Sequence, residues 1–484
     1  ANLQAMQQRS AGFEAVRRLR REAGADVARV VRAAGGAVRE HFTLAGAMLV
    51  KVPAEQLQRL AALPQVRHLE AEEAGELPPD SVADGRDRIS SDPYFNGGAT
   101  GSGFIALLDS GVRTSHTLFT SPDHIWITED CVYGDAFCSD TGDWRYNPDD
   151  DCWDHGTSTA AIITGNGDLG DASRGVTGGW LDSWKVYGRS CGGLNTTAVL
   201  RAYDEAVRWG DQIIVAEMQS GQSDSGSIAS AADSAFDSGS ITIAANGNNG
   251  PNSGTVNSPA IAHKALGIGA YDVDSLAHQS YQSEGPTPDN RYKPEVQAPT
   301  NADTASTASS TTINNFGGTS GATPFAAGAA SVFADWFNMT ARTAANGGKI
   351  YASLINGGTR AWGQFNNVQG VGPFELPLGG TFYTGSRNVS HHENEVISFN
   401  VPAGTTQVRA TLWWAEDQGA SHGDVDLYIR DHYNITRDSS TSGPSVFEHA
   451  IANNPSYTGT WDLRVYGYNI PSTVTVYYAV HVVN

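Results

Sequence analysis

The chain reads as three folding units in series: a small α+β module, a doubly wound α/β core with a mainly parallel sheet, and an antiparallel β-sandwich. Three observations predict this order. Charge and aromatic content change near residue 80, where 11 basic and 10 acidic side chains without Trp, Tyr or Cys give way to 20 basic and 42 acidic ones. From about residue 100 to 345, short apolar runs alternate with helical stretches of small residues, the pattern of a sheet covered on both faces. The last hundred residues switch to a period of two. With 484 residues, 40% of them apolar, the chain can build several cores.

The first unit spans residues 1–79. AGFEAVRRLRREAG and Asp26 to Ala34 read as helices, AGAMLVKV as a strand, and PAEQLQRLAAL as a helix opened by Pro53 with Leu57, Leu60 and Leu63 on one side. HLEAE reads as a further strand. The stretch EEAGELPPDSVADG has the Gly, Pro and acids of an exposed linker. The core spans residues 80–365, with FIALL, QIIVAEM, ITIAA and ALGIGA as strands; ligands of such sheets bind beyond the carboxyl ends of the strands. The third unit spans residues 366–484. In TVTVYYAVHVV the residues Val474, Val476, Tyr478, Val480 and Val482 alternate with partners expected to be more exposed, and QVRATLWW and TWDLRVY repeat the pattern.

A net charge of −21 disfavours nucleic acids and anionic membranes as partners. No apolar stretch approaches the roughly 18 residues that span a bilayer. The chain does not open with a basic segment and an apolar core, so a secretion signal is expected to have been removed or never to have been present. Four cysteines allow three pairings; local closure favours Cys131 with Cys138 and Cys152 with Cys191, each worth about 2–4 kcal/mol, and points to an oxidising, extracellular location.

Three blocks in the core carry chemistry together. FIALLDSGV places Asp109 at the carboxyl end of a buried strand, DHGTSTAAIITG places His155 at a helix start, and GGTSGATPFAAGAAS places Ser320 at the entrance of an Ala-rich helix with Pro324 near its first turn. A serine hydroxyl attacks a carbonyl only when an imidazole takes its proton, and the imidazole needs a carboxylate to hold its tautomer and stabilise its charge. Each block alone is common. The three in the order Asp, His, Ser are not.

On these blocks the chain resembles the subtilisin-like serine proteases, the subtilases, over roughly residues 85 to 345. ITIAANGNNGP resembles the strand and loop that carry the oxyanion-hole amide, here Asn248 with Asn246 as the nearest competitor, and SYQSEGPTPDNRYKPEVQAPT resembles the segment before the nucleophile. The resemblance implies that Gln219, Ser220 and Gly221 form one wall of the first specificity pocket. Asn257 would lie near its base, shortening it and adding polarity. It also implies protein and peptide substrates and no organic cofactor.

Residues 1–79 resemble a subtilase propeptide, which assists folding and then inhibits the enzyme as an intramolecular partner. Alignment puts processing near Leu77, but Pro78 and Pro79 follow, and a proline leaving group should be cleaved poorly. Removal at a neighbouring bond, or persistence as an inhibitor, is therefore expected. LWWAEDQ, GDVDLYIRD and GTWDLRVYGYNIP resemble the jelly-roll domain of oxidatively stable alkaline subtilases. There Asp417, Asp424 and Asp426 are candidate ligands for a structural calcium ion, and the acid-rich interval from Asp140 to Asp154 is a second oxygen-rich loop. A rival reading is a catalytically silent subtilase scaffold that acts as a protein-binding or adhesion module.

Gly321 follows the candidate nucleophile where many relatives carry an oxidisable Met. Activity on a peptide substrate should survive peroxide treatment, measured as residual rate after quenching the oxidant.

Overall fold

In the computed structural model the described residues are 2–70, 84–101, 103–151, 154–190 and 192–484. The first unit contains helices α1 (Asn2–Ala23) and α2 (Ala25–Ala33), strands β1 (Ala37–Phe42) and β2 (Ala47–Lys51), and helix α3 (Leu57–Ala61). β1 and β2 form an antiparallel hairpin. Amphipathic α2 packs Val27 and Val31 with Leu60 of α3 into a small core. Residues His68 to Glu70 of the expected HLEAE strand are not in a strand, because Glu70 is diverted to a helix end described below; Ala71 and Glu72 lie outside the described residues.

The second unit runs α4 (Asp92–Asn96), β3 (Phe104–Asp109), β4 (Ile125–Asp130), α5 (His155–Thr164), β5 (Trp180–Lys185), α6 (Thr196–Trp209), β6 (Ile213–Ala216), α7 (Ser227–Asp237), β7 (Ile241–Ala245), β8 (Ala265–Asp272) and β9 (Val296–Thr300). A short antiparallel pair, β10 (Ala302–Ala305) and β11 (Ile313–Phe316), precedes α8 (Gly318–Trp336) and α9 (Ala344–Asn356). Strands β3 to β9 form one seven-stranded sheet in the order β4-β5-β3-β6-β7-β8-β9, and every pairing in it is parallel. Alternate residues of each strand face opposite ways. Ile105, Leu107, Ile213 and Val215 pack against α5 and α8, and Ala106, Leu108, Ile214 and Ala216 pack against α6 and α7. The sheet is buried on both faces, as its apolar runs predict.

The third unit holds β12 (Thr381–Val389), β13 (Asn394–Val401), β14 (Gln407–Trp414), β15 (Asp424–Arg430), β16 (Thr436–Ser440), β17 (Phe447–Asn453), β18 (Gly459–Asn469) and β19 (Val474–Val483). They form two four-stranded antiparallel sheets, β12-β19-β14-β17 and β13-β18-β15-β16. The alternation along β19 is only half as expected. Val476, Val480 and Val482 enter the sandwich core, but Tyr477, Ala479 and His481 on the other face are also buried. The reason is α9, which lies on that face: Trp413 meets the rings of Tyr351 at 5.0 Å and Phe236 at 5.2 Å, joining the sandwich to the second unit. Residues 366–376 lie against β9, where Phe374 N–H donates to the Gln297 carbonyl. No helix among the described residues is long and apolar enough to cross a membrane.

The first unit docks on α6 and α7. Asp204 of α6 is buried and accepts the N–H groups of Thr43 and Leu44 at 3.0 and 3.1 Å, and Glu40 pairs with Arg201 at 2.6 Å. The Glu70 carboxylate accepts the Ser227 N–H at the start of α7 at 3.0 Å, where first-turn amides lack intrahelical acceptors. Asp204→Ala should strand two backbone donors, costing about 1–3 kcal/mol each. Hydrogen exchange should then accelerate at the Thr43 and Leu44 amides while the sheet amides of the second unit keep their protection.

Candidate active site

Asp109 ends β3, the strand flanked by β5 on one side and β6 on the other. The chain therefore departs to opposite sides of β3, and its carboxyl end opens onto the crevice where ligands of such sheets bind. His155 is the first residue of α5, preceded by Asp154, whose backbone is left-handed with φ 63°. The Asp154 carboxylate accepts the hydroxyls of Ser306 and Thr307, which stabilises that turn.

The two side chains meet in the interior. His155 Nδ1 lies 2.8 Å from Asp109 Oδ1 and 3.0 Å from Oδ2, and both residues are buried. Such a carboxylate orients the ring and favours its protonated form. The close approach depends on glycine: a β-carbon on Gly156 would sit 2.1 Å from the Gly111 carbonyl oxygen and 3.2 Å from the Asp109 β-carbon. The edge of the ring also packs on Phe316 at 5.0 Å, just before α8.

Ser320 lies in the first turn of α8, buried, with its N–H among amides that have no intrahelical acceptor. Pro324 stands in the second turn rather than the first, because the helix already begins at Gly318. Lacking an N–H, it cannot donate to the Ser320 carbonyl. Gly321 has a steric reason as well, since a β-carbon there would be 2.6 Å from Thr300 Oγ1 and 3.0 Å from the Phe316 carbonyl oxygen.

Asn248 stands beside this turn. Its Oδ1 accepts Thr319 N–H at 2.9 Å and Thr319 Oγ1 at 3.1 Å, and its own N–H donates to Gln219 Oε1 at 3.0 Å. With the carbonyl end held, Nδ2 is the free donor, buried and without an acceptor among the described residues. A β-carbon on Gly318, whose φ is +71°, would come within 3.1 Å of it. Asn246 is not a competitor, because its Nδ2 is taken by the Ser283 carbonyl at 2.6 Å.

The expected pocket residues are also brought together. Asn257 Nδ2 donates to the Ser220 carbonyl at 2.6 Å, and its Oδ1 accepts Asn249 Nδ2 at 2.9 Å. The Ser258 N–H donates to the Gly221 carbonyl at 3.1 Å. Both ends of the Asn257 amide are thus engaged, one with Ser220 of the expected wall and the other with Asn249.

The candidate calcium ligands do not assemble. Asp417 pairs with Lys264 at 2.6 Å, and Asp426 accepts the Tyr428 hydroxyl at 3.0 Å. Burial raises the Asp424 and Asp426 carboxyls, and their mutual repulsion raises Asp426 further. Among the described residues, the group whose donor atoms converge is Asp224, His263 and Asp289, where Arg291 already holds Asp289 at 2.7 Å. Asp417, Asp424 and Asp426 therefore do not fit a common ion.

The acid-rich interval is likewise satisfied internally: Lys185 Nζ donates to the Asp149 carbonyl and Asp151 Oδ1, both at 2.7 Å, and Arg113 Nε to Asp149 Oδ1 at 3.3 Å. Cys131 and Cys138 are disulfide-bonded, whereas Cys152 and Cys191 lie outside the described residues. The processing region near Leu77, with Pro78 and Pro79, also lies outside them.

Sequence reasoning missed two supports of the site. Thr319, which fixes Asn248, is a neighbour of the serine with no pattern of its own. Asp150 is fully buried and accepts the hydroxyl of Ser110, although it lies in a run of acids that reads as a solvated loop. Burial, and then the charge of Asp109, push the Asp150 carboxyl up to about 7.

The fold is a doubly wound α/β core in which a carboxylate, an imidazole and a helix-borne serine come from separate segments. The chain belongs to the subtilase family, whose pattern matches residues 101–372, over half its length. It is 27% identical over 251 residues to the minor extracellular protease Vpr of Bacillus subtilis, covering 48% of this chain and 30% of that protein. It is 28% identical over 322 residues to subtilisin amylosacchariticus of Bacillus subtilis subsp. amylosacchariticus, covering 65% and 78%. A shorter match, 35% over 75 residues, links it to the serine protease AprX of Bacillus subtilis and covers 14% and 17%.

Gly156→Ala should force the start of α5 away from β3, an overpacking cost of about 1–3 kcal/mol. Thermal unfolding should show that loss, and the His155–Asp109 proton resonance in NMR should disappear or shift.

Proposed function

We propose that the chain is an exported serine endopeptidase made as a zymogen, with Ser320 as nucleophile, His155 as general base and then acid, and Asp109 as its orienter. The buried Asp109–His155 pair, whose ring packs on Phe316 four residues before Ser320, carries this reading. Attack by Ser320 Oγ on a peptide carbonyl passes its proton to the imidazole, and the carboxylate offsets the positive charge that forms. The oxygen that becomes negative is met by the Asn248 amide and the Ser320 N–H at the positive end of α8. The imidazolium then returns the proton to the leaving amine. Water repeats the sequence on the acyl-enzyme and releases the acid.

The rim at Gln219 to Gly221 suits an extended peptide that pairs through its backbone, which tolerates varied side chains. The docking of residues 2–70 on α6 and α7 supports an inhibitory propeptide, because Glu70 leads the chain from the start of α7 toward the segment that carries the processing point. Subtilases related to this chain include a protein named as extracellular, and the Cys131–Cys138 disulfide agrees with export.

A fluorophosphonate should label the purified chain on Ser320, and Ser320→Ala should abolish the labelling; a silent scaffold would not react. Asn248→Ala should lower kcat about 10²- to 10³-fold, as expected for loss of one oxyanion donor, with KM nearly unchanged.

A further inference from the structure

We infer that Asp150 is a positioning residue for the Asp109–His155 pair, acting through Ser110 and Thr157; the inference rests on the serine-peptidase reading above. Asp150 enters the interior from the acid-rich loop between β4 and α5. Its Oδ1 accepts the Ser110 hydroxyl at 3.1 Å, and its Oδ2 accepts the Thr157 N–H at 3.2 Å and the Thr157 hydroxyl at 2.9 Å.

Ser110 stands one hydrogen bond from the pair, and Thr157 lies two residues from it in the chain. Ser110 donates its N–H to Asp109 Oδ1 at 2.6 Å, and its hydroxyl oxygen accepts the Gly156 N–H at 2.9 Å. Thr157 is two residues beyond His155, in the first turn of α5. A carboxylate at that place satisfies an amide with no intrahelical acceptor and faces the positive end of the helix. One side chain thus ties the carboxyl end of β3 to the amino end of α5, the two places that supply the carboxylate and the ring.

The cost of this arrangement argues that it is used. A buried carboxyl next to Asp109 is disfavoured by burial and by like charge, and it persists only because its surroundings clamp it. Arg113 donates to the Asp150 carbonyl at 2.9 Å and also receives the Thr157 hydroxyl as acceptor for its own N–H at 3.0 Å. Lys185 holds Asp149 and Asp151 on either side. Among the described residues, the charged and titratable groups around Asp150 are Asp109 on β3, His155 on α5, Arg113 on the loop after β3, Asp149 and Asp151 on its own loop, and Lys185 on β5.

The test uses the full chain, allowed to process itself, with reactive serines counted by fluorophosphonate titration. Asp150→Asn keeps the volume and removes the charge. Its kcat on a peptide anilide should fall about 10- to 100-fold, the scale of a misplaced reacting group, with KM within about twofold. The acid limb of kcat/KM should move to lower pH, because a loosened Asp109 makes the imidazolium less stable.

Ser110→Ala cuts the same bridge from its other end and should change kcat and the acid limb in the same directions; added to Asp150→Asn it should cost less than about twofold more. If Asp150→Asn does not fold, the Ser110→Ala variant decides by the same two readouts. A titrated Asp150→Asn enzyme with unchanged kcat and acid limb overturns the inference, as does a double variant whose losses simply multiply. A wild-type chain that does not react with the fluorophosphonate overturns the peptidase reading and this inference with it, whereas a reactive wild type beside an indifferent Asp150→Asn overturns the inference alone.

Discussion

The contact on which the rest of the structure depends is the near-touching of two backbones, the turn after β3 at Gly111 and the start of α5 at Gly156. The Asp109–His155 hydrogen bond is formed across this close approach, which a side chain at Gly156 would prevent. The missing side chain of Gly156 gives that approach, and the parallel sheet makes it stable. β3 lies at the point where the chain turns to opposite sides of the sheet, so its carboxyl end faces open crevice rather than a neighbouring connection. Helix α8 then brings Ser320 in from the far end of the domain, and Thr319 and Asn248 lock the turn against the loop after β7.

A second constraint is electrostatic. The chain is strongly acidic, yet the acids nearest the site are matched one by one to internal partners: Asp149 and Asp151 to Arg113 and Lys185, Asp154 to two hydroxyls, Asp150 to Ser110 and Thr157. A lysine ammonium stands where an oxygen-rich loop would otherwise invite a cation. The same economy operates between units, where Lys264 joins Asp237 of α7 to Asp417 of the sandwich. The sandwich is bound through aromatic packing on α9 as well, which explains why both faces of β19 are apolar or aromatic.

Much of the architecture was legible in the residues. Runs such as FIALL, ITIAA and ALGIGA have the length and apolarity of strands buried on two faces, and they became β3, β7 and β8. The helical reading of Asp26 to Ala34 and the strand at AGAMLVKV also appear, each shifted by a residue or two. HLEAE did not form a strand over its described part, because its alternation says nothing of the helix end that draws Glu70 away. The Asp417, Asp424 and Asp426 set failed for a related reason: spacing along a chain cannot show that Lys264, some 150 residues earlier, competes for one member.

By itself the sequence determined the change from a parallel α/β core to antiparallel sheets, the two-sided burial of the central sheet, and the residue types able to carry acyl transfer, because local periodicity and side-chain chemistry are properties of short stretches. Only the tertiary structure decided which acids surround His155, that Asn248 rather than Asn246 has its amide free, and that Asp150 is buried beneath the site. Those outcomes depend on which distant backbones approach within hydrogen-bonding distance, and no short stretch of chain encodes that distance.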